Sequence, residues 1–147
     1  HAMTSHARFA YPVDLTPDED GRIVAHMADV IGAVTDGADG EEALVEAQDA
    51  LEEALCAAMA GHEDIPRPSP ARGRPTVAPG TLITAKIALY EAMAEAGISN
   101  VELGKRMGLG ENEIRRCLDP RHNTKIDRME AALAILGRRL RVTVEAA

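Results

Sequence analysis

The stretch IPRPSPARGRP, residues 65–75, decides how the rest of the chain is organised. Its four prolines remove backbone donors and fix φ, so neither a helix nor a central strand can run through it. An extended connector is the form that remains. It leaves two small domains to build, residues 1–64 and residues 80–147, with TVAP (76–79) read as a strand that returns to the first.

The charges divide at the same place. Residues 1–75 hold 5 Lys/Arg against 15 Asp/Glu, a net −10, and residues 76–147 hold 11 against 9, a net +2. An asymmetry of that size predicts two modules facing different partners. Phe9, Tyr11 and Tyr90 are the only aromatic residues, too few for a platform on which single-stranded RNA bases stack. No apolar run approaches the ~20 residues of a membrane span. No secretory segment is evident near the start, where His1-Ala2 ahead of Met3 reads as a cloning remnant, so a cytoplasmic protein is expected. Cys56 and Cys117 lie far apart on predicted helices, without a Cys-x-x-Cys or Cys/His cluster, and read as small core hydrophobes.

In ARFAYPVDLTPDEDG, Phe9, Tyr11, Val13 and Leu15 alternate onto one face, and the acidic Gly-ended tail predicts a hairpin turn. RIVAHMAD returns with Ile23, Ala25 and Met27 on one face, and GAVTDG gives a third short strand. Such a meander needs a helix to cover its apolar side. Leu44, Ala47, Leu51, Leu55 and Met59 supply the stripe, with Asp39 as N-cap, Glu41 and Glu42 in the first turn, and Gly61 as C-cap. The second domain reads as helical from residue 80 to Gly137. Its first helix is assigned an Ile83, Ile87, Tyr90, Ala94 face and a stop at Gly97. RLRVTVE closes the chain with strand-like alternation of Leu140, Val142 and Val144. The fold class is therefore α+β: βββαβ, then an all-α domain with a terminal β-strand.

The functional motif is VELGKRMGLGENEIRRCL, residues 101–118. A helix-turn-helix needs a small residue where two helices cross closely, a turn residue tolerant of positive φ, and an aliphatic anchor beyond. Gly104, Gly108 and Ile114 fill those places, and Ser99 or Asn100 caps the first helix. The second helix, Glu111–Leu118, would turn Ile114 and Leu118 inward and project Asn112, Arg115 and Arg116. Asn suits adenine edges and Arg suits guanine. Glu111 would either accept from cytosine N4 or cap that helix, the cap being the favoured reading. Asn100, Lys105 and Arg106, with Arg121, His122 and Lys125 of the PRHNTK loop, are placed for supporting, phosphate-type contacts. A net +2 supplies little phosphate neutralisation, so a DNA reader of this kind must work as a dimer (or tetramer), and the terminal strand offers a self-pairing edge.

The chain resembles the HicB-type antitoxins of bacterial HicAB toxin–antitoxin systems over nearly all of residues 9–145. The likeness rests on YPVDLTPDEDG, ADVIGAVTDG, the EEAL…A…AL helix, the IPRPS exit, and the run from ALYEAMAEAG through LDPRHNTK to RRLRV. VIGAVTDG departs from the Pro-Gly-Cys more usual in the family, which implies a different local bend. The resemblance implies a partial, catalytically empty RNase H-like first domain that binds and inhibits a small basic mRNA-cleaving toxin of the HicA type. It implies a second domain that represses its own operon by binding operator DNA. A −10 module complements a basic RNase and speeds encounter with it. Asp18, Glu19, Asp20 and Asp29 are the candidate toxin-binding residues, and no catalytic residue, metal or cofactor is expected.

Two other readings start from the same residues. An enzyme reading would have the carboxylates of PDEDG, or Asp29 and Asp36, gather Mg²⁺ for hydrolysis, but no matching acid from a distant segment accompanies them, and His26 stands alone on a strand. A transcription regulator whose first domain senses a small molecule shares the DNA claim, but a three-strand meander with one helix is thin for a pocket.

Overall fold

The apolar alternation of the first run produces extended backbone, but the run changes neighbours midway. Tyr11–Pro12 (β1) pairs antiparallel with Thr76–Val77 (β5), while Asp14–Pro17 (β2) pairs with Ile23–His26 (β3), which pairs with Val34–Gly37 (β4). The computed structural model describes residues 8–146, and the His1-Ala2 assignment lies outside the described residues. Between the two ladders Val13 N–H donates to the Pro75 carbonyl at 2.9 Å. The TVAP strand thus meets the first run, in a two-stranded ladder separate from the β2-β3-β4 sheet. Phe9, Tyr11, Val13, Ala25 and Met27 are buried, and Leu15 and Ile23 half-buried. Phe9, however, lies in a 3-10 turn ahead of the strand, and Pro12 is buried between Tyr11 and Val13, so the alternation is incomplete.

The covering helix α1, Gly40–Ala60, has the expected caps. Asp39 accepts from Glu42 N–H at 2.9 Å, satisfying one orphan donor of the helix, while the Glu42 carboxylate accepts from the N–H of Ala38, just ahead of the cap, at 3.1 Å. Ala43, Ala47, Leu51, Leu55, Ala58 and Met59 are buried, with Leu44 partly so. Burial of the large side chains contributes about 2 kcal/mol each before conformational entropy is subtracted.

Residues 65–75 stay extended but are not loose. Ile65 is buried, Tyr11 Oη donates to the Pro66 carbonyl, and Ser69 donates through N–H (2.8 Å) and Oγ (2.6 Å) to Asp29. Arg74 donates to the Ala71 and Pro70 carbonyls and pairs with Asp14 at 3.4 Å. The chain divides into two compact units, residues 1–80 and 81–147, and this segment is fastened to the first.

The second unit is helical: α2 Thr81–Ala96, α3 Asn100–Met107, α4 Glu111–Leu118 and α5 Ile126–Ile135. Its core joins Ala85, Leu89 and Met93 of α2 to Leu103, Ile114, Cys117, Met129, Ala132 and Leu133. The Ile83, Ile87, Tyr90, Ala94 face assigned to α2 is corrected in part: Ile87 is fully buried, but Ala94 is exposed, Ile83 and Tyr90 are half-buried, and the stripe in the helical core is Ala85/Leu89/Met93. The helix is apolar on more than one side, so spacing alone selects no unique face. The terminal strand is also corrected. Residues 138–146 form no strand, because a strand exists only as half of a hydrogen-bonded ladder, and no described segment supplies the other half. Leu140 packs against the core, while Val142 and Val144 stand 63% and 92% exposed.

Candidate functional site

The pair α3–α4 is built from three local requirements. Ser99 opens α3 by accepting from Glu102 N–H at 3.1 Å, and Gly108 closes it in the left-handed region at φ 70°, ψ 30°. At Gly104 a Cβ would lie 2.6 Å from the Leu109 carbonyl oxygen and 3.5 Å from Ile114 Cγ1. The backbone of the turn therefore rests directly on α3, and Leu109 N–H bonds back to the Gly104 carbonyl at 2.8 Å. Ile114 and Cys117 anchor α4 in the core, with Leu118 partly buried beside them.

This leaves Glu111, Asn112, Arg115 and Arg116 exposed on α4. Asn112 and Arg116, four residues apart, share one helix face. Arg115 is engaged by Glu111 at 2.7 Å. The cap role assigned to Glu111 is corrected: Gly110 is the N-cap, without a side-chain cap, and the Glu111 carboxylate reaches along the helix to Arg115 instead. Arg116 makes no ion pair among the described residues, so its guanidinium is the more available of the two. Asn100 begins α3. Lys105 and Arg106 occupy its last turn, where cations suit the helix dipole, and Arg106 pairs with Glu102 at 3.5 Å. Arg121 and His122 are exposed on the loop after α4, and Lys125 is the N-cap residue of α5.

A residue that the spacing did not single out lies beneath this surface. Lys86 of α2 is fully buried, and its Nζ donates to the Arg116 carbonyl and to Thr124 Oγ1, both at 2.7 Å. Thr124, also buried, donates to the same carbonyl at 3.1 Å. Burial lowers the Lys86 pKa from its ordinary value, against the opposing pull of Cys117 and Asp119. Burial likewise raises the Cys117 thiol, with Arg128 and Lys86 acting the other way. The one sequence signal was that Lys86 is the sole cation in the sixteen residues of α2.

On the first unit, two of the four candidate toxin-binding carboxylates carry structural work. Asp18 Oδ1 accepts from Asp20 N–H (2.8 Å) and Arg22 N–H (3.0 Å), shaping the β2–β3 turn, and Asp29 holds Ser69. Glu19 and Asp20 are exposed at the turn. The turn and Asp29 lie at opposite ends of β3, so the structure does not gather the four into one cluster. Asp36 pairs with Arg22 at 2.9 Å, and His26 is exposed. Among the described residues no group of three or more His, Cys, Asp or Glu side chains is arranged to hold a metal ion. No helix among them is long and apolar enough to cross a membrane. The exposed side of α1 carries Glu41, Glu46, Asp49 and Glu53. The helix contains no Lys or Arg, and none from elsewhere among the described residues pairs with these four.

Comparison with known proteins covers both units. The family model described as the HicB-like antitoxin of bacterial toxin–antitoxin systems matches residues 10–88. Antitoxin HicB 2 of Photorhabdus laumondii is 38% identical over 130 residues, 88% of this chain and 92% of that one. Antitoxin HicB 1 of the same organism is 34% identical over 135 residues, 92% and 86% of the two chains. Antitoxin HicB of Escherichia coli K12 is 34% identical over 131 residues, 88% and 95%. With the family match spanning more than half of the chain and these relatives aligned along nearly all of it, the chain belongs to the HicB-like antitoxins of bacterial toxin–antitoxin systems.

Proposed function

We propose that this antitoxin works by binding alone, with its first unit holding a small basic mRNA-cleaving toxin of the HicA type and its second repressing its own operon. The observation that carries the reading is the unequal treatment of charge. The first unit leaves the outer side of α1 lined with carboxylates that no cation among the described residues pairs with, and like charges at i, i+4 such as Asp49/Glu53 cost a helix a few tenths of a kcal/mol. A basic partner relieves that cost and is drawn in by the same field. Glu19 and Asp20, with Asp18 and Asp29 as shapers of the adjoining turns, extend the acidic surface.

The second unit supports DNA reading through its α3–α4 helix-turn-helix, with Asn112, Arg115 and Arg116 facing base edges. Asn100, Lys105, Arg106, Arg121, His122 and Lys125 serve as backbone contacts. Two copies are needed to neutralise enough phosphate, and residues 139–145 supply the pairing edge: as an alternating segment outside any described ladder, they gain one from a twin. The site of action is the bacterial cytoplasm, where an mRNA-cleaving toxin and operator DNA both reside.

The test is coexpression with the product of the adjacent short reading frame, followed by a shift assay on the operon's own promoter. A stable complex with a basic protein, loss of RNA cleavage, and retardation of the promoter fragment are expected. Failure to copurify removes the toxin claim, and an unshifted promoter at low ionic strength removes the DNA claim.

A further inference from the structure

A lysine that reaches no solvent is an expensive feature, because an ammonium taken out of water must recover its hydration from fixed acceptors. Lys86 recovers it at one place. The Arg116 carbonyl belongs to the last turn of α4, whose final carbonyls lack intrahelical donors. It accepts from Lys86 Nζ at 2.7 Å, from Thr124 Oγ1 at 3.1 Å and from Asp119 N–H at 3.3 Å. Lys86 Nζ also donates to Thr124 Oγ1, closing a small ring among ammonium, hydroxyl and carbonyl. A positive charge here also complements the negative end of the α4 dipole.

The ring ties together three segments of the second unit through hydrogen bonds that converge on one place. These are α2, the C-terminal end of α4, and the loop that leads to Lys125. Apolar packing sets distances but permits small slides and rotations; directed hydrogen bonds to one oxygen do not. The residue whose carbonyl is held is Arg116, so the anchor acts on the backbone from which that guanidinium projects.

We propose that Lys86 is a positioning residue for DNA reading: through the Arg116 carbonyl and Thr124 it fixes the α4 end and the 119–125 loop as one rigid unit, so that base-reading and phosphate-contacting groups meet the duplex in register. The inference rests on the DNA reading proposed above. Lys86 touches no DNA itself, since it is wholly enclosed. Its removal therefore degrades discrimination between sequences more than it degrades attraction to the phosphate backbone.

The experiment uses the full chain and two duplexes of equal length, the operon's promoter fragment and a shuffled version of it. Lys86→Met keeps an unbranched apolar stem, shorter by the terminal nitrogen, and cannot donate. We expect the promoter-to-shuffled affinity ratio to fall about tenfold or more, the scale of one lost base contact, while shuffled-duplex affinity stays within about threefold. Thr124→Ser, which retains the hydroxyl, should keep the wild-type ratio, and Thr124→Val should lose part of it. If Lys86→Met loses its cooperative thermal transition, the Thr124→Val and Thr124→Ser pair decides alone.

A folded Lys86→Met or Thr124→Val protein with an unchanged ratio overturns the proposal. A wild-type chain without preference for the promoter overturns the DNA reading instead. Amide hydrogen exchange then judges the anchor separately: faster exchange confined to the end of α4 and residues 119–125 upholds it, and unchanged exchange overturns it.

Discussion

The two units handle charge in opposite ways. In the second, four of the eight arginines are answered from within: Arg106 by Glu102, Arg115 by Glu111, Arg128 by Glu113 and Arg138 by Glu95. In the first, carboxylates with partners mostly serve the backbone. Asp18 and Asp29 hold turns, Asp39 caps α1, and Glu52 accepts from Gly80 N–H at 2.6 Å, while the outer side of α1 is left unanswered. The difference teaches that a net charge matters less than where it remains uncompensated. The first unit projects a long-range field. The second answers half of its arginines internally and depends on geometry, with Arg116 as the exposed arginine of α4 that no described carboxylate engages.

The strongest way to break this comparison is to remove the geometry of the second unit alone. Gly104→Val should cost more than the ~1–3 kcal/mol of ordinary overpacking, because the added Cβ meets backbone that cannot swing aside. Thermal unfolding should then show the second unit melting early while the first keeps its transition and its toxin binding. Loss of both transitions together would mean that the units are not separately stable.

A smaller effect is expected from deleting residues 139–147. Light scattering should report halved mass, and the promoter should bind with a shallower salt dependence because fewer phosphates are neutralised per complex. An unchanged mass removes the terminal segment as the pairing edge.

Smaller again are single side chains of α4. Arg116→Ala should weaken promoter binding by roughly 5- to 150-fold, the equivalent of ~1–3 kcal/mol, and leave toxin neutralisation intact. Arg115→Ala should cost less, since Arg115 must first give up Glu111. A reversed order in a quantitative shift assay would show that Arg115 abandons its ion pair on the duplex and is the principal reader.

What was legible in the sequence is what local chemistry dictates. The caps of α1 and α3, the limits of α4, and the Gly104/Gly108/Ile114 spacing follow from residues within a few positions of one another, and each appears in the structure. The exchange of neighbours at Val13 was not legible, because it depends on a segment more than sixty residues away. The α2 face was misassigned because two apolar stripes compete on one helix. Lys86 was invisible for a related reason: on an amphipathic helix a lysine ordinarily carries its charge out to water, and only the tertiary position of the Arg116 carbonyl reverses that. The terminal segment alternates like a strand, but alternation describes a face and a ladder needs a second edge. The exposure of Val142 and Val144 records the missing half.

The central claim is that the two partners are assigned to the two units by this division of charge and geometry. It is tested most directly by purifying residues 1–80 and residues 81–147 separately, confirming secondary structure by circular dichroism, and titrating each with the basic toxin and with the promoter duplex. The account predicts that residues 1–80 bind the toxin and ignore the duplex, and that residues 81–147 do the reverse. A folded 1–80 fragment without affinity for the toxin, or a toxin captured by residues 81–147 instead, would contradict it.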